Sequence, residues 1–294
     1  MMKISKIKCL IIFLLSTAYI GSVWAVDANS IDKLVSIELK KTTFSENLKT
    51  KILLMASKPD HPYLTHMYLH ECCLLAKCLR QNTGVDAVVS IGWPENTDVI
   101  SEADSIVIYG SPVADHFLSD EIACQNLQKH INAGKGIVGF HWAIGYLYKG
   151  NKIKGQLWLN SLGCIYDESK SNVMMGNAKV TRLIPAHPVN KGWLDFLLCD
   201  EYYLNMNVVK EAIPIIKIKA DNGREDIVAW CYQRQDGGRS YANTLGHYHY
   251  NFANLSFLKM YINGILWTAK YDTGEDGAKC QISPEDMNLP PEPK

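Results

Sequence analysis

The six residues KILLMA, at 51–56, constrain the fold more than any other stretch of the chain. So short an unbroken apolar run, followed closely by Pro59 and Pro62, marks a strand buried on both faces, as strands of a parallel sheet are. The theme then repeats. Residues 67–81 are rich in Leu, Cys and Ala and read as a packed helix, and 85–91 and 105–109 read as second and third strands. Residues 120–132 form a helix with Ser119 as its N-cap and Gly134 as its stop, and 136–140 supply a fourth strand. Strand, helix, strand, strand, helix, strand with short connections predicts a doubly wound, mainly parallel α/β sheet.

After Trp142 the pattern changes. Residues 173–183, 213–220, 226–233 and 239–245 read as further strands, some antiparallel, and 255–269 as a closing helix. The expected organisation is a lead-in at 26–48 with a short helix, one domain at 49–270, and a Pro- and acid-rich tail at 271–294 lying loosely on the surface.

The first residues address the compartment. Lys3, Lys6 and Lys8 precede an apolar run at 10–20, and Val23 stands two before Ala25. This is the build of a signal peptide, 1–25, cleaved after Ala25, so a periplasmic or secreted protein is expected. No later apolar stretch is long enough to span a bilayer, and no stable membrane insertion is expected after cleavage. The 30 basic residues equal the 30 acidic ones, and losing three Lys leaves a slight acidic excess. Such a chain has no electrostatic footprint for nucleic acid. It contains no GxxxxGK[ST] and no GxSxG, and its one GxGxxG, Gly134 to Gly139, leads from a helix into a strand instead of from a strand into a helix, so neither a nucleotide cofactor nor a hydrolase serine elbow is expected. Of nine Cys, Cys72, Cys73 and Cys78 fall on one apolar helix and the rest are scattered. That spacing fits buried packing better than a zinc site.

In open α/β sheets ligands bind outside the carboxyl ends of the strands. His66 follows the first strand, His116 the third and His141 the fourth, while His247 and His249 follow the strand at 239–245. Asp200 and Glu201 are expected in another loop, before Tyr202 and Tyr203. His247 and His249 are expected to point to opposite faces, and His247, directly after Gly246, is favoured for the cleft. His187 reads as a loop brace, and His61, His70 and His130 as ordinary loop or helix-surface residues. The expected site has His66, His141 and His247 as ligands of a divalent metal such as zinc, which takes three nitrogens and a water. Glu201 and His141 are the candidates for proton transfer, and His116, Trp142, Tyr203 and His249 for substrate contacts.

Several segments carry a resemblance in their order and spacing. They are the His66 loop leading into 72–79, Trp93-Pro94 before Ala103-Asp104, and Gly139-Phe140-His141-Trp142-Ala143. After them come His187-Pro188, Asp200-Glu201-Tyr202-Tyr203, Ala229-Trp230, Asp236-Gly237-Gly238-Arg239, Gly246-His247-Tyr248-His249 and Ile265-Leu266-Trp267-Thr268-Ala269. Over about 51–269 the chain resembles the ThuA-like (trehalose utilisation) family. The resemblance implies a flavodoxin-like fold, that of class I glutamine amidotransferases, with an elaborated carboxyl half. In those amidotransferases a Cys occupies the strand-to-helix elbow. Here that elbow is the His141 region, without a Cys, so glutamine hydrolysis is not expected. The family's association with sugar utilisation implies a small carbohydrate substrate, a glycoside or an oxidised (keto) sugar. A non-catalytic sugar-binding protein using the same cleft is the alternative. This chain departs from many relatives at Tyr166–Val173, where a His- and Trp-rich stretch is common, and at Gly145, where a Glu is frequent.

Overall fold

The computed structural model describes residues 28–145 and 152–292. The expected signal peptide lies outside them. Helices are α1 Ala28–Lys40, α2 Tyr68–Leu79, α3 Thr97–Glu102, α4 Val113–His116, α5 Glu121–Asn132, α6 Lys152–Leu162 and α7 Leu255–Thr268. Strands are β1 Thr50–Ala56, β2 Val85–Ile91, β3 Ser105–Tyr109, β4 Gly136–Phe140, β5 Cys164–Ile165 and β6 Asn172–Arg182. They continue with β7 Phe196–Leu204, β8 Asn207–Val208, β9 Ile213–Ala220, β10 Glu225–Gln233 and β11 Arg239–Asn243.

Nine strands form one sheet in the order β2-β1-β3-β4-β11-β10-β9-β6-β7. The first five are parallel neighbours, and their order is the flavodoxin-like one, with β11 as fifth strand. The remaining four pair antiparallel and form the elaborated carboxyl half. Alternation along the central strands feeds two cores. Ile52, Leu54, Val107 and Tyr109 pack with α2 and α7. Leu53, Met55, Ile106 and Ile108 face the other way, toward Leu127 of α5 and Trp158 of α6. Cys72, Cys73 and Cys78 are fully buried in the first core, where burial raises their thiol pKa values. All eight cysteines among the described residues are free.

The antiparallel half is not flat. β10 carries register shifts around Ala229, and Gly176 of β6, opposite Asp200, has φ +141°. Bulges and such glycines bend a strand. Asp200 lies on the strand farthest from β11 in that half, yet its carboxylate meets the Gly246 backbone N–H at 2.8 Å. The β6–β7 hairpin therefore folds back over the carboxyl ends of the parallel strands.

Three expectations need correction. Asp200 and Glu201 lie within strand β7, not in a loop. The acidic pair hides a period-two pattern in which Leu198, Asp200 and Tyr202 all point inward. Asp120, not Ser119, caps α5, accepting from the Ala123 N–H at 2.8 Å. The tail through residue 292 is tied down rather than loose. His70 Nε2 donates to the Asp286 carbonyl at 2.9 Å, His249 Nε2 to that of Met287 at 2.9 Å, and Lys77 binds the Asp286 carboxylate at 2.7 Å. At the other end, Leu34, Val35 and Leu39 of α1 pack on the same core.

Gly264 marks a tight contact, because a Cβ there would overlap the ring of Tyr241 on β11. Gly264→Ala gains about 1 kcal/mol of helix propensity but overpacks a fully buried site, at about 1–3 kcal/mol. The expected result in urea unfolding is a net loss of about 1 kcal/mol. A more stable variant would mean that the ring moves aside.

Candidate metal centre

Four of the five parallel strands deliver side chains to one point at their carboxyl ends. Asp60, His61, His66 and Tyr68 follow β1, Ser111 follows β3, His141 follows β4 and His247 follows β11. Two backbones are held in the left-handed region, at His66 with φ 51° and His141 with φ 48°. A non-glycine residue there is strained, and such strain persists where the surroundings over-determine it. For His66 the surroundings are hydrogen bonds to the β11 loop. Its N–H donates to the His247 carbonyl at 3.1 Å, and His249 N–H donates to the Leu64 carbonyl at 3.0 Å. For His141 they are the sharp exit from β4 and a bond from ring Nδ1 to the Thr244 carbonyl at 2.8 Å. Gly246, at φ +115°, lets the chain pass beneath the hydroxyls of Tyr109 and Tyr261, where a Cβ would collide. Tyr109 donates to its carbonyl. Asp200 then fixes the turn by accepting the N–H groups of Gly246 at 2.8 Å and His247 at 3.0 Å. Burial raises the Asp200 pKa against the pull of His141 and these bonds.

The result is a compact donor set. His66 Nε2 lies 2.9 Å from His141 Nε2 and 2.9 Å from His247 Nδ1. Glu201 Oε2 lies 3.4 Å from both His141 Nε2 and His247 Nδ1. All four ligand atoms fall within 4.8 Å of one another. Solvent approaches from one side, since Glu201 is 16% and His247 8% exposed while His66 and His141 are sealed. Tyr203 stacks on His141 at 4.8 Å and 18°, with its hydroxyl 3.3 Å from Nε2.

Hydrogen-bond logic tests whether these residues fit a cation. The Thr244 carbonyl can only accept, so His141 carries its proton on Nδ1 and turns a bare lone pair inward from Nε2. His66 Nδ1 lies 3.0 Å from the Asp60 carboxylate and 2.6 Å from the Tyr68 hydroxyl, and with Asp60 as its acceptor that proton is outward too. Two lone pairs then face each other at 2.9 Å with the Glu201 carboxylate beside them. An added proton would relieve the contact, but burial pushes the His66 pKa down to about 3, against the bond to Asp60 and with the repulsion of its neighbour histidines. A divalent ion relieves it without that conflict. Two nitrogens each about 2.0–2.1 Å from one ion are about 3.3 Å apart at the tetrahedral angle, a few tenths of an ångström wider than the 2.9 Å spacing here. Burial works to raise the Glu201 pKa, but the neighbouring His141 and His247 rings outweigh it and hold it well below the usual range, so the carboxylate is ionised. The donor set fits a zinc-like ion.

The other candidates lie elsewhere. His116 is exposed at the end of α4 and lines a separate pocket of about 280 Å³ with Ser57, Lys58 and Trp93. His249 turns inward, with Nδ1 3.2 Å from buried Glu71. It cannot be a substrate contact from there. Residues two apart on extended chain share a face, and the two rings part because His249 opens the helical turn His249–Ala253. Tyr203 is buried behind His141 rather than on the rim. Trp142 is half-buried beside Tyr166 and Tyr203. His187 caps the turn at Pro188, accepting from the Val189 N–H at 3.3 Å. His61 is no ordinary loop residue, with its ring 3.7 Å from His66 and Nδ1 2.8 Å from Asp60. His70 and His130 are buried, not on a surface. Asp60 and Tyr68 were missed, although Asp60 stands just past the carboxyl end of a strand, where the topology places ligands.

The family model described as ThuA, trehalose utilisation, matches residues 61–268. No curated protein matches the chain. Among solved structures, a protein described as ThuA-like from Bacteroides uniformis is similar at TM-score 0.61 and 15% identity, over 81% of this chain and 98% of that one. Another, from Parabacteroides merdae, is similar at TM-score 0.58 and 16% identity, over 81% and 98%. At such identities the likeness concerns the fold. The sequence match spans more than half of the chain, and the protein belongs to the ThuA (trehalose utilisation) family.

Proposed function

We propose that this is an exported protein of carbohydrate utilisation that acts on a glycoside or an oxidised (keto) sugar at the His66–His141–His247–Glu201 centre, with a divalent ion bound there. The observation that carries the proposal is the gathering of three imidazole nitrogens and one carboxylate oxygen within 4.8 Å, open to solvent on one side. When bound, the ion supplies a Lewis acid that polarises a substrate carbonyl. His66, His141 and His247 would hold it. Glu201, on the exposed side, is placed to take a proton from a C–H made acidic by a neighbouring ketone. With Nδ1 bonded to Thr244 and Nε2 among the donors that would hold the ion, His141 is assigned to ligation and not to that duty. Tyr203 keeps the His141 ring in plane, and half-buried Trp142 offers an aromatic edge to a sugar near the opening.

The test is a zinc-supplemented assay of the purified protein on matched plain and keto-disaccharides. Release of a monosaccharide from the keto substrate is expected. Glu201→Gln should lower that turnover by about 10²–10⁴-fold, the usual weight of a general base. Saturable sugar binding without turnover in the wild type would favour the sugar-binding alternative, and neither binding nor turnover would remove the carbohydrate reading.

A further inference from the structure

We infer that Asp60 is the positioning residue of this centre, setting which nitrogen of His66 carries the proton so that Nε2 is presented to the ion. The inference rests on the divalent-ion reading above. Its basis is the hydrogen-bond network on the far side of the His66 ring. Nδ1 lies 3.0 Å from Asp60 Oδ1 and 2.6 Å from the Tyr68 hydroxyl. A carboxylate only accepts, whereas a tyrosine hydroxyl can accept and donate. On this side of the ring one arrangement satisfies every group: Nδ1–H donates toward Asp60 and Tyr68, and Tyr68 donates its own proton to Asp60 Oδ1 at 3.0 Å, which leaves the Nε2 lone pair for an ion.

The opposite tautomer could accept from the Tyr68 hydroxyl at 2.6 Å, but it sets a bare nitrogen against a carboxylate. A bare Nδ1 would face the Asp60 carboxylate at 3.0 Å, lone pair against negative charge. Asp60 is itself held firmly. Ser111 Oγ donates to Oδ2 at 2.6 Å, and the Ser111 N–H is anchored on Ser57 Oγ at 2.8 Å. His61 Nδ1 lies 2.8 Å from Oδ1. Two neighbouring strand ends, those of β1 and β3, are thus tied together through a carboxylate whose outlet is His66. A carboxylate behind a ligating imidazole orients the ring and raises its basicity, and removing it typically weakens metal binding about 10–100-fold. Asp60→Asn preserves the shape but supplies an amide N–H that can donate to Nδ1, which lets the proton move to Nε2 and occlude the ligand position.

The experiment uses the full chain and zinc. Affinities of wild type and Asp60→Asn are measured by competition with a chromophoric chelator, and the His66 tautomer is read from ¹⁵N ring shifts without metal. Zinc binding weakened about 10–100-fold in Asp60→Asn, together with a shift of His66 from the Nδ1–H to the Nε2–H form, is expected. A wild-type His66 already in the Nε2–H form overturns the inference. So does zinc affinity within twofold of wild type in the folded variant, and that outcome leaves the ion site itself standing. If the wild type binds no zinc, the divalent-ion reading falls and this inference with it. Should Asp60→Asn fail to fold, the wild-type ring shifts decide alone, an Nδ1–H His66 supporting the inference and an Nε2–H His66 overturning it.

Discussion

His247→Ala is expected to weaken zinc binding by more than about a hundredfold and to leave the fold intact. Its imidazole is one of four groups that meet within 4.8 Å, and loss of a ligand should exceed the roughly 10–100-fold cost of losing a partner behind one. His247 is the appropriate histidine to truncate. His66 and His141 sit at φ 51° and 48°, where Ala would add backbone strain of its own, whereas His247 does not. The backbone N–H that Asp200 holds survives the change. Zinc at a hundred times its dissociation constant should stabilise the wild type by about 2.7 kcal/mol, and that gain should vanish in the variant. A variant that binds one zinc with unchanged affinity would remove His247 from the ligand set.

A large loss of stability is expected as the pH falls from about 6.5 to about 4. His130 lies far from the candidate centre, buried under the turn into β4, with Nε2 donating to the Gly136 carbonyl at 2.9 Å and Nδ1 without a partner. Burial lowers its pKa to about 4 from the ordinary 6.5, against the pull of that bond. The unfolded chain therefore takes up the proton first. Stability is complete above about 6.5, declines through the window, and flattens below about 4, a fall of about 3 kcal/mol for this one residue. His70 and His187 are also lowered to about 4, by burial first, and add to the slope. Denaturant unfolding of His130→Gln, which keeps a donor but cannot titrate, should show a shallower decline by about 2–3 kcal/mol between pH 7 and pH 4. Parallel curves for variant and wild type would show that His130 is protonated in the native state without cost.

The parallel half was legible because burial on both faces writes itself into short apolar runs such as KILLMA, and topology then dictates where ligands gather. His66, His141 and His247 followed from that rule, and Glu201 followed from its place before two tyrosines. The strand that carries Glu201 was illegible. Asp200 occupies an inward position where the pattern calls for an apolar side chain, and it is tolerated there because two backbone N–H groups meet it. Asp60 was obscured by its neighbours. Between Pro59 and Pro62 it reads as turn chemistry, and its partners Ser111 and Tyr68 reach it only through the tertiary fold. His249 and His116 have the same sequence credentials as the cluster members, and only the direction of the local chain separates them.

The folded-back β6–β7 hairpin has a kinetic consequence. His66 and His247 are 181 positions apart, and Glu201 comes from the outermost strand of the sheet. Distant segments pay their loop-closure entropy before any contact between them repays it, so such meetings come late on the way to the native state. The four groups coincide only after β11 has entered the sheet and the hairpin has closed over it. A bound ion would then favour the finished molecule and not the barrier that precedes it. It should leave the refolding rate almost unchanged and slow unfolding by nearly its full binding energy, acting as a lock on the closed hairpin.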